Sequence, residues 1–247
     1  GSPIIGDCEF TGNAGYVGGA LTDYGTAQVS RCTLMGNRAM NGGAFYGRSP
    51  TFSNCIVAAN KATGSGGGLW TNASPVITLC TIADNTATTG GGVYATDTGK
   101  PTMANSILWG NSAGGSLDKI AQITGGTPVM YHSTVQGWYG SDPLFADPDS
   151  GDYHVRSKAG RWDPATQDWV SDEVTSPVID AGSPFVVVGD EPEPHGGRIN
   201  QGAYGGTAEA SQSLGPFNVA DLNRDGVVDI RDHAIMAENW LRGVATE

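Results

Sequence analysis

The chain has 247 residues, of which 38 are glycine and only 15% are charged, and its formal net charge is −12. Acids and bases balance up to residue 140, so the whole net charge lies beyond that point. This acidic chain lacks the basic footprint that nucleic acids require, and no run of about 18 apolar residues could span a membrane. These properties are typical of a secreted protein, extracellular or on a cell surface, that meets divalent cations.

The first 140 residues repeat a unit of about 24 residues. Its anchors are four cysteines and then two serines: Cys8, Cys32, Cys55, Cys80, Ser106 and Ser133. An apolar residue stands three positions before each anchor: Ile5, Val29, Phe52, Ile77, Met103 and Met130. Short apolar runs with β-branched residues, separated by glycine turns, are typical of strands. The repeat predicts an all-β fold, a parallel β-solenoid whose equivalent positions stack in columns about 4.8 Å apart.

Two of these columns carry polar or reactive side chains. One asparagine follows each of the first five anchors, and the column predicts a ladder of amides rather than an active-site row: Asn13, Asn37, Asn60, Asn85 and Asn111. The cysteine column allows either two disulfides or four free, buried thiols. Parallel side chains on stacked strands keep the Cβ atoms too far apart for relaxed disulfide geometry, which favours free thiols.

The phrase NGGAFYG, residues 41–47, has near-copies in three other units. Its steady apolar position predicts side chains that point into the core: Leu21, Phe45, Leu69 and Val93. Alternation then places the following residues on the outside: Thr22, Tyr46, Trp70 and Tyr94, with Ala44 also on the outer face. Tyr46, Trp70 and Tyr94 would stack as a platform for sugar rings, unless a loop or the C-terminal region covers them.

The repeat unit resembles those of right-handed parallel β-helix proteins of the pectin-lyase-like superfamily, and above all those of polymorphic outer-membrane proteins. The resemblance implies a right-handed parallel β-helix over residues 1–140. Because that scaffold carries lyases, hydrolases, adhesins and fibres alike, it implies no single function.

Residues 141–210 lose the period. The stretches SPVIDAG and GGRINQGAYGG resemble the closing region of secreted bacterial β-helix proteins, which predicts irregular coils and a cap over the end of the helix. Five aspartates in this segment are candidate cation ligands: Asp142, Asp147, Asp149, Asp152 and Asp180. Trp162 and Trp169 form a second candidate sugar contact.

Residues 211–247 form a linker and then a calcium motif. Oxygen ligands fall in the register of a calcium loop, with Gly226 at its sharp turn: Asp221, Asn223, Asp225, the backbone carbonyl of Val227, Asp229 and Asp232. An apolar stripe after the loop predicts one helix. Asp232 at the last position and the single helix resemble a type I dockerin repeat, which implies bound Ca²⁺ and a cohesin-like partner. Dockerins have two such repeats, whereas this chain has one.

Two functions fit these observations. The first is a non-catalytic extracellular surface or matrix protein, with no catalytic residue assigned, that binds glycan or assembles into filaments through its β-helix ends. The second is a polysaccharide lyase or glycoside hydrolase. Its best catalytic set would be Asp7, Glu9 and Arg31, which lie on neighbouring coils.

Overall fold

The computed structural model describes residues 2–96 and 98–214, together with residues 230, 231, 233–235 and 237. Up to residue 140 the chain forms short strands along a coiled path. In chain order they are β1 (Ile4–Gly6), β2 (Glu9–Thr11), β3 (Leu21–Asp23), β4 (Gln28–Ser30), β5 (Thr33–Met35), β6 (Arg38–Ala39), β7 (Phe45–Gly47), β8 (Thr51–Ser53), β9 (Ile56–Ala58), β10 (Lys61–Ala62), β11 (Leu69–Thr71), β12 (Val76–Thr78), β13 (Thr81–Ala83), β14 (Thr86–Ala87), β15 (Val93–Ala95), β16 (Thr102–Ala104), β17 (Ile107–Trp109) and β18 (Ser112–Ala113). A short helix α1 (Lys119–Gln122) then precedes β19 (Ile123–Thr124), β20 (Val129–Tyr131) and β21 (Thr134–Val135).

Strands of successive coils stack into four parallel sheets. The first sheet contains β1, β4, β8, β12, β16 and β20; the second contains β2, β5, β9, β13, β17 and β21. The third contains β6, β10, β14 and β18, and the fourth contains β3, β7, β11, β15 and β19. Val29 pairs with Phe52, and Ile77 pairs with Met103, which is the column that the repeat predicts. The predicted all-β parallel β-helix is therefore confirmed.

The core is the inside of the coil. Apolar side chains from all sides of each coil meet there, and Phe45 of the fourth sheet packs edge-on against Phe52 of the first. Each such side chain contributes roughly 1.5–3 kcal/mol through its burial. Ala44 also lies in this core with no exposed surface, so its predicted outward position is wrong. Gly42, at φ +65°, turns the chain just before it, and strict alternation does not hold across such a corner.

A corner column connects the first sheet to the second. Every residue immediately before an anchor has a φ between +45° and +54°: Asp7, Arg31, Asn54, Leu79, Asn105 and His132. This left-handed conformation is uncommon for residues other than glycine and turns the strand direction sharply. The column therefore points its side chains outward along one edge of the coil.

Residues 141–214 form a closing segment that packs along the side of the coil. It contains the antiparallel pair β22 (Phe145–Asp147) and β23 (Asp152–Val155), joined by a 3₁₀ helix at Pro148–Ser150, and the hairpin β24 (Arg161–Asp163) and β25 (Asp168–Val170). Tyr153 packs against Ile56, Ala58 and Ala83 of the second sheet. The corner residue Asn54 donates Nδ2 hydrogen bonds to the carbonyls of Ala203 and Gly205.

These contacts place the segment along the second sheet, and its role as a cap over the end of the helix stays a prediction. The reason for this position lies in the second sheet, whose middle strands are apolar on both faces: β9 reads IVA and β17 reads ILW. An outer face of this kind requires a cover. Val155, Val178 and Ile179 supply it over Ile107, while Tyr153 and Ala203 pack on earlier coils. Among the residues that the structure describes, no helix has the length and apolar character needed to cross a membrane.

Candidate functional site

An aromatic row lies on the outer face of the fourth sheet. Tyr46, Trp70 and Tyr94 occupy matching positions of β7, β11 and β15 and are half-buried. The rings of Tyr46 and Trp70 lie 4.2 Å apart with an interplanar angle of 10°, and those of Trp70 and Tyr94 lie 6.1 Å apart at 16°. The predicted outward orientation and stacking are confirmed. The closing segment packs on the second sheet, so it does not act as the cover for this row.

The stacking restricts how a sugar could contact the row. A ring separation of 4.2 Å leaves no room for a pyranose between Tyr46 and Trp70. Tyr24 places an edge against the other side of Tyr46, at a centroid distance of 6.0 Å. Beyond Tyr94 the residue in register is Thr124, which carries no ring. Among the described residues of the row, only Tyr94 thus has a ring face with no aromatic ring against it, which differs from the predicted platform of three faces.

Two members of the candidate catalytic set form a surface ion pair. Arg31 donates from Nε and Nη2 to the two carboxylate oxygens of Asp7, both at 2.6 Å. Both side chains are exposed, and this bidentate bond lowers the pKa of the Asp7 carboxyl. Glu9 accepts a hydrogen bond from its neighbour Thr11 at 2.9 Å. An exposed pair of this kind contributes little to stability, and it occupies the only base in the set.

The asparagine column is the predicted amide ladder. From Asn37 onward, each Oδ1 accepts both the backbone N–H and the Nδ2–H of the asparagine one coil earlier, as Asn85 does from Asn60 at 2.9 Å. Each buried Nδ2 also donates to a backbone carbonyl, in this case that of Val57. The ladder ends in Gln122 of α1, which accepts from Asn111 Nδ2 at 2.8 Å. The repeat frame did not predict Gln122, because it lies outside the 24-residue register.

The cysteine column contains free thiols. Cys32, Cys55 and Cys80 are buried, as predicted, whereas Cys8 is exposed because only the following coil packs against it in the structure. Each buried Sγ lies within hydrogen-bonding distance of the carbonyl two residues earlier, for instance Cys80 with Thr78 at 3.2 Å. Burial raises the pKa of the Cys80 thiol well above its ordinary value. The buried Cys80 thiol is therefore a structural element rather than a reactive one.

The candidate aspartates of the closing segment serve separate structural roles. Asp147 accepts from the backbone of the 3₁₀ helix that it precedes, and Asp142 accepts from the N–H of Leu144. Asp152 binds both His154 and Arg161. Throughout residues 2–96 and 98–214, no three His, Cys, Asp or Glu side chains come together as metal ligands. The predicted cation set in this segment is therefore wrong, since turn formation separates the aspartates.

Trp162 and Trp169 face each other across the β24–β25 hairpin. They are register partners, and their rings meet edge to face at 5.9 Å. Each ring is half-buried and covers part of the other, so the pair stabilises the hairpin. Their role as a sugar contact stays a prediction.

A partly buried ion network, which the sequence did not reveal, holds this hairpin to β23. Arg161 bridges Asp152 and Asp172 at 3.2 Å to each, and Asp152 accepts from His154 Nδ1 at 2.6 Å. The imidazole is stacked on Tyr204 with a centroid distance of 3.5 Å. In the sequence, the members of this network are ordinary titratable residues at separate positions. Only the fold of the closing segment brings them together.

The carboxyl of Glu191 is expected to make the stability of the folded chain depend on pH. Burial raises the pKa of its carboxyl from 4.5 to about 7, and Asp180 adds to the rise. Between these pH values the folded chain binds more protons than the unfolded chain, so stability falls as the pH rises, by about 3 kcal/mol at most. Glu191→Gln should flatten this window and raise the urea midpoint at pH 8 relative to the native chain. Equal pH profiles for the two proteins between pH 4.5 and 8 would contradict the assignment.

The six predicted calcium ligands, from Asp221 to Asp232, lie outside the described residues. Their role and the bound Ca²⁺ stay predictions, as does the cohesin-like partner.

The comparisons with known proteins bear on the repeats. The family described as "Right handed beta helix region" matches residues 1–134, which is more than half of the chain. The searches of curated proteins and of solved structures gave no match. The matched range coincides with the coils from β1 to the start of β21, and the parallel sheets are those that such a repeat requires. The chain therefore belongs to the right-handed β-helix family.

Proposed function

We propose that the chain is a secreted, non-catalytic surface or matrix β-helix that binds glycan on the fourth sheet and carries a calcium-bound, dockerin-like tail. The observation that carries the proposal is the aromatic row on a sheet that the closing segment leaves available. Half-buried aromatic rings on such a face are a common means of contacting sugars, because the apolar C–H groups of a pyranose stack on them.

The geometry of the row supports a specific binding mode. The open face of Tyr94 offers a stacking surface above Thr124, and the row of ring edges extends from there over about three coils. A linear glycan along the coil axis would place one sugar ring on Tyr94 and its next units along the edges of Trp70 and Tyr46. The Tyr46 and Tyr94 hydroxyls would then be the polar partners of that chain.

Tyr94→Ala is expected to weaken glycan binding at least about fivefold, whereas Tyr46→Ala weakens it less, because only Tyr94 has an open ring face. The measurement is a glycan array in the presence of calcium, followed by titration calorimetry on the strongest hit. Tyr16→Ala serves as the matched control, since Tyr16 is 78% exposed and takes part in no ring contact among the described residues. Unchanged glycan binding by a Tyr46→Ala/Trp70→Ala/Tyr94→Ala variant would exclude the aromatic row as the glycan-binding site.

Product analysis on the same hit distinguishes the alternative function. Binding without cleavage is expected. Unsaturated or reducing-end products, lost on Arg31→Ala or Asp7→Ala, would replace this proposal with a polysaccharide lyase or glycoside hydrolase.

Calcium binding by the C-terminal motif is expected to give sensitised Tb³⁺ luminescence, because Trp240 is close in sequence to the loop ligands. Asp225→Ala should reduce the Tb³⁺ signal at least tenfold, since it removes a charged ligand from the centre of the loop. Asp142→Ala is the control, because Asp142 belongs to a turn of the closing segment. Equal signals from the two variants would place the ion elsewhere.

Two further proposals concern binding partners. The first is self-association of the chain through its coil ends, and the second is docking to a cohesin-like partner. Among the described strands, β19 and β20 lie at the ends of their sheets and each has a strand neighbour on one side only. Open strand edges pair readily with other chains. Sedimentation velocity should show concentration-dependent species; a single monomeric species at all concentrations would exclude the first proposal.

A further inference from the structure

A cleft of about 420 Å³ lies where the sixth coil meets the closing segment. On one side its walls come from Met130, from His132 to Thr134 and from Tyr139 to Ser141, and on the other from Pro177, Ala181 and Gln201. This volume lies within the range of small-ligand sites. We propose that this cleft binds one neutral sugar residue, stacked on Tyr139 and hydrogen-bonded by His132.

The corner column gives the first argument. Asn54 and Asn105 of this column both hold the closing segment: Asn54 donates to Ala203 and Gly205, and Asn105 accepts from the N–H of Ser183 at 2.8 Å. His132 is the next member of the column, with a φ of +45°. It lines the cleft, and within residues 2–96 and 98–214 its imidazole has no hydrogen-bond partner. The column thus presents at this coil a donor and an acceptor that the fold does not use.

The tyrosine is held in place by its own backbone. Val135 N–H donates to the carbonyl of Tyr139 at 2.7 Å, and Tyr139 N–H donates back to the carbonyl of Val135 at 2.9 Å. Trp138 stacks beside the Tyr139 ring at 6.2 Å and 11°. Gly140, at φ +89°, has Thr134 so close that an added Cβ would lie 2.7 Å from Oγ1. The backbone that carries Tyr139 is thus held in place before a ligand binds, which favours affinity.

Hydrogen bonds within the protein also hold the floor of the cleft in place. Thr134 Oγ1 donates to Gln201 Oε1 at 2.7 Å, and Gln201 Nε2 donates to the carbonyl of Ala181 at 3.0 Å. These bonds join the last coil to the closing segment and leave the two walls in fixed positions. The site therefore exists before a ligand arrives.

The chemistry of the lining selects the ligand class. Among the described residues, no Asp, Glu, Lys or Arg lines the cleft, so these residues offer no ion pair to a charged ligand. The negative charge beyond residue 140 also repels anions. A tyrosine face next to Met130 and Pro177 is apolar, while His132, Ser141 and the Tyr139 hydroxyl are polar. A neutral pyranose has the matching two-sided character, with apolar C–H faces and a hydroxyl edge.

Titration calorimetry with cellotetraose, laminaritetraose and mannotetraose tests the proposal on the full chain. At least one should bind, and Tyr139→Ala and His132→Ala should each weaken that binding at least about fivefold. Tyr131→Ala is the matched control, because Tyr131 is 56% exposed in the same coil but does not line the cleft. Circular dichroism and the melting temperature of each variant establish that the coil is intact.

Three results would overturn the proposal: no binding of any of the three sugars, equal affinity of native chain and Tyr139→Ala, or tighter binding of tetragalacturonate than of the neutral sugars. Indole binding as tightly as the best sugar would also overturn it, because indole offers a flat apolar face without hydroxyls. Tyr94→Ala separates this site from the aromatic row. If Tyr139→Ala lowers the sugar affinity and Tyr94→Ala does not, the cleft is supported as the binding site and the aromatic row is excluded. If Tyr94→Ala lowers the affinity and Tyr139→Ala does not, only the cleft is excluded.

Discussion

Asn85→Ala is expected to lower the free energy of unfolding by about 3–5 kcal/mol. The Asn85 side chain makes four hydrogen bonds in a fully buried position, two as acceptor from Asn60 and two as donor to Val57 and Asn111. Alanine leaves the backbone N–H of Asn60 without its partner and removes one hydrogen bond each from the Asn60 Nδ2, the Val57 carbonyl and the Asn111 Oδ1. Each buried polar group left in this way costs about 1–3 kcal/mol. Urea unfolding followed by circular dichroism measures the change.

Asn13→Ala is the matched control for the ladder. Asn13 belongs to the same column, but its side chain is exposed and its Nδ2 makes one bond, to Asn37 at 3.1 Å. Water replaces that bond, so the loss should stay below about 1 kcal/mol. A similar, small cost for both variants would mean that the ladder does not stabilise the coil.

Gly43→Ala should prevent the coils from stacking and lower the unfolding free energy by at least about 3 kcal/mol. An added Cβ would lie 2.8 Å from the backbone nitrogen and 2.9 Å from the carbonyl carbon of Lys61 and would also meet the carbonyl of Gly67. These are backbone atoms of the next coil, so no rotamer change relieves the contact. Because a solenoid is stabilised by neighbouring coils, separation at one interface affects both sides.

Gly115→Ala is the comparison for this clash. Gly115 also has a backbone that disfavours side chains, at φ +88°, but no atom lies within 4 Å of the added Cβ. Its cost should be limited to backbone strain, about 1–2 kcal/mol. Thermal melts of the two variants should therefore differ clearly, and equal melting temperatures would show that the close approach at Gly43 is relieved.

The repeat frame predicted the coils because a solenoid converts sequence spacing into spatial columns. The outward row of Tyr46, Trp70 and Tyr94 followed from that frame and from strand alternation alone. The frame failed at Ala44, where a turn interrupts the alternation, and it could not predict Gln122. In both places the chain departs from regular strand geometry, which is the assumption behind any period-based prediction.

The sequence likewise predicts one of the two candidate sites, the aromatic row, but not the other, the cleft. The row is a property of equivalent positions in adjacent coils, and so the sequence predicts its members but not its ring spacing. Side-chain packing sets the spacing, which leaves a single open face at Tyr94. The cleft at His132 and Tyr139 combines residues of the last coil with Pro177 and Gln201 of the closing segment. No periodic pattern relates these two parts of the chain.

The sequence by itself determined the β-helix, its register, the amide ladder and the free-thiol column, because each depends on contacts between equivalent positions of neighbouring coils. The tertiary structure decided where residues 141–214 lie, since that depends on which sheet has an apolar outer face. It also decided that Asp7 and Arg31 neutralise each other and that a cleft remains beside His132. Such features arise from non-periodic contacts between distant parts of the chain, and only the folded arrangement specifies them.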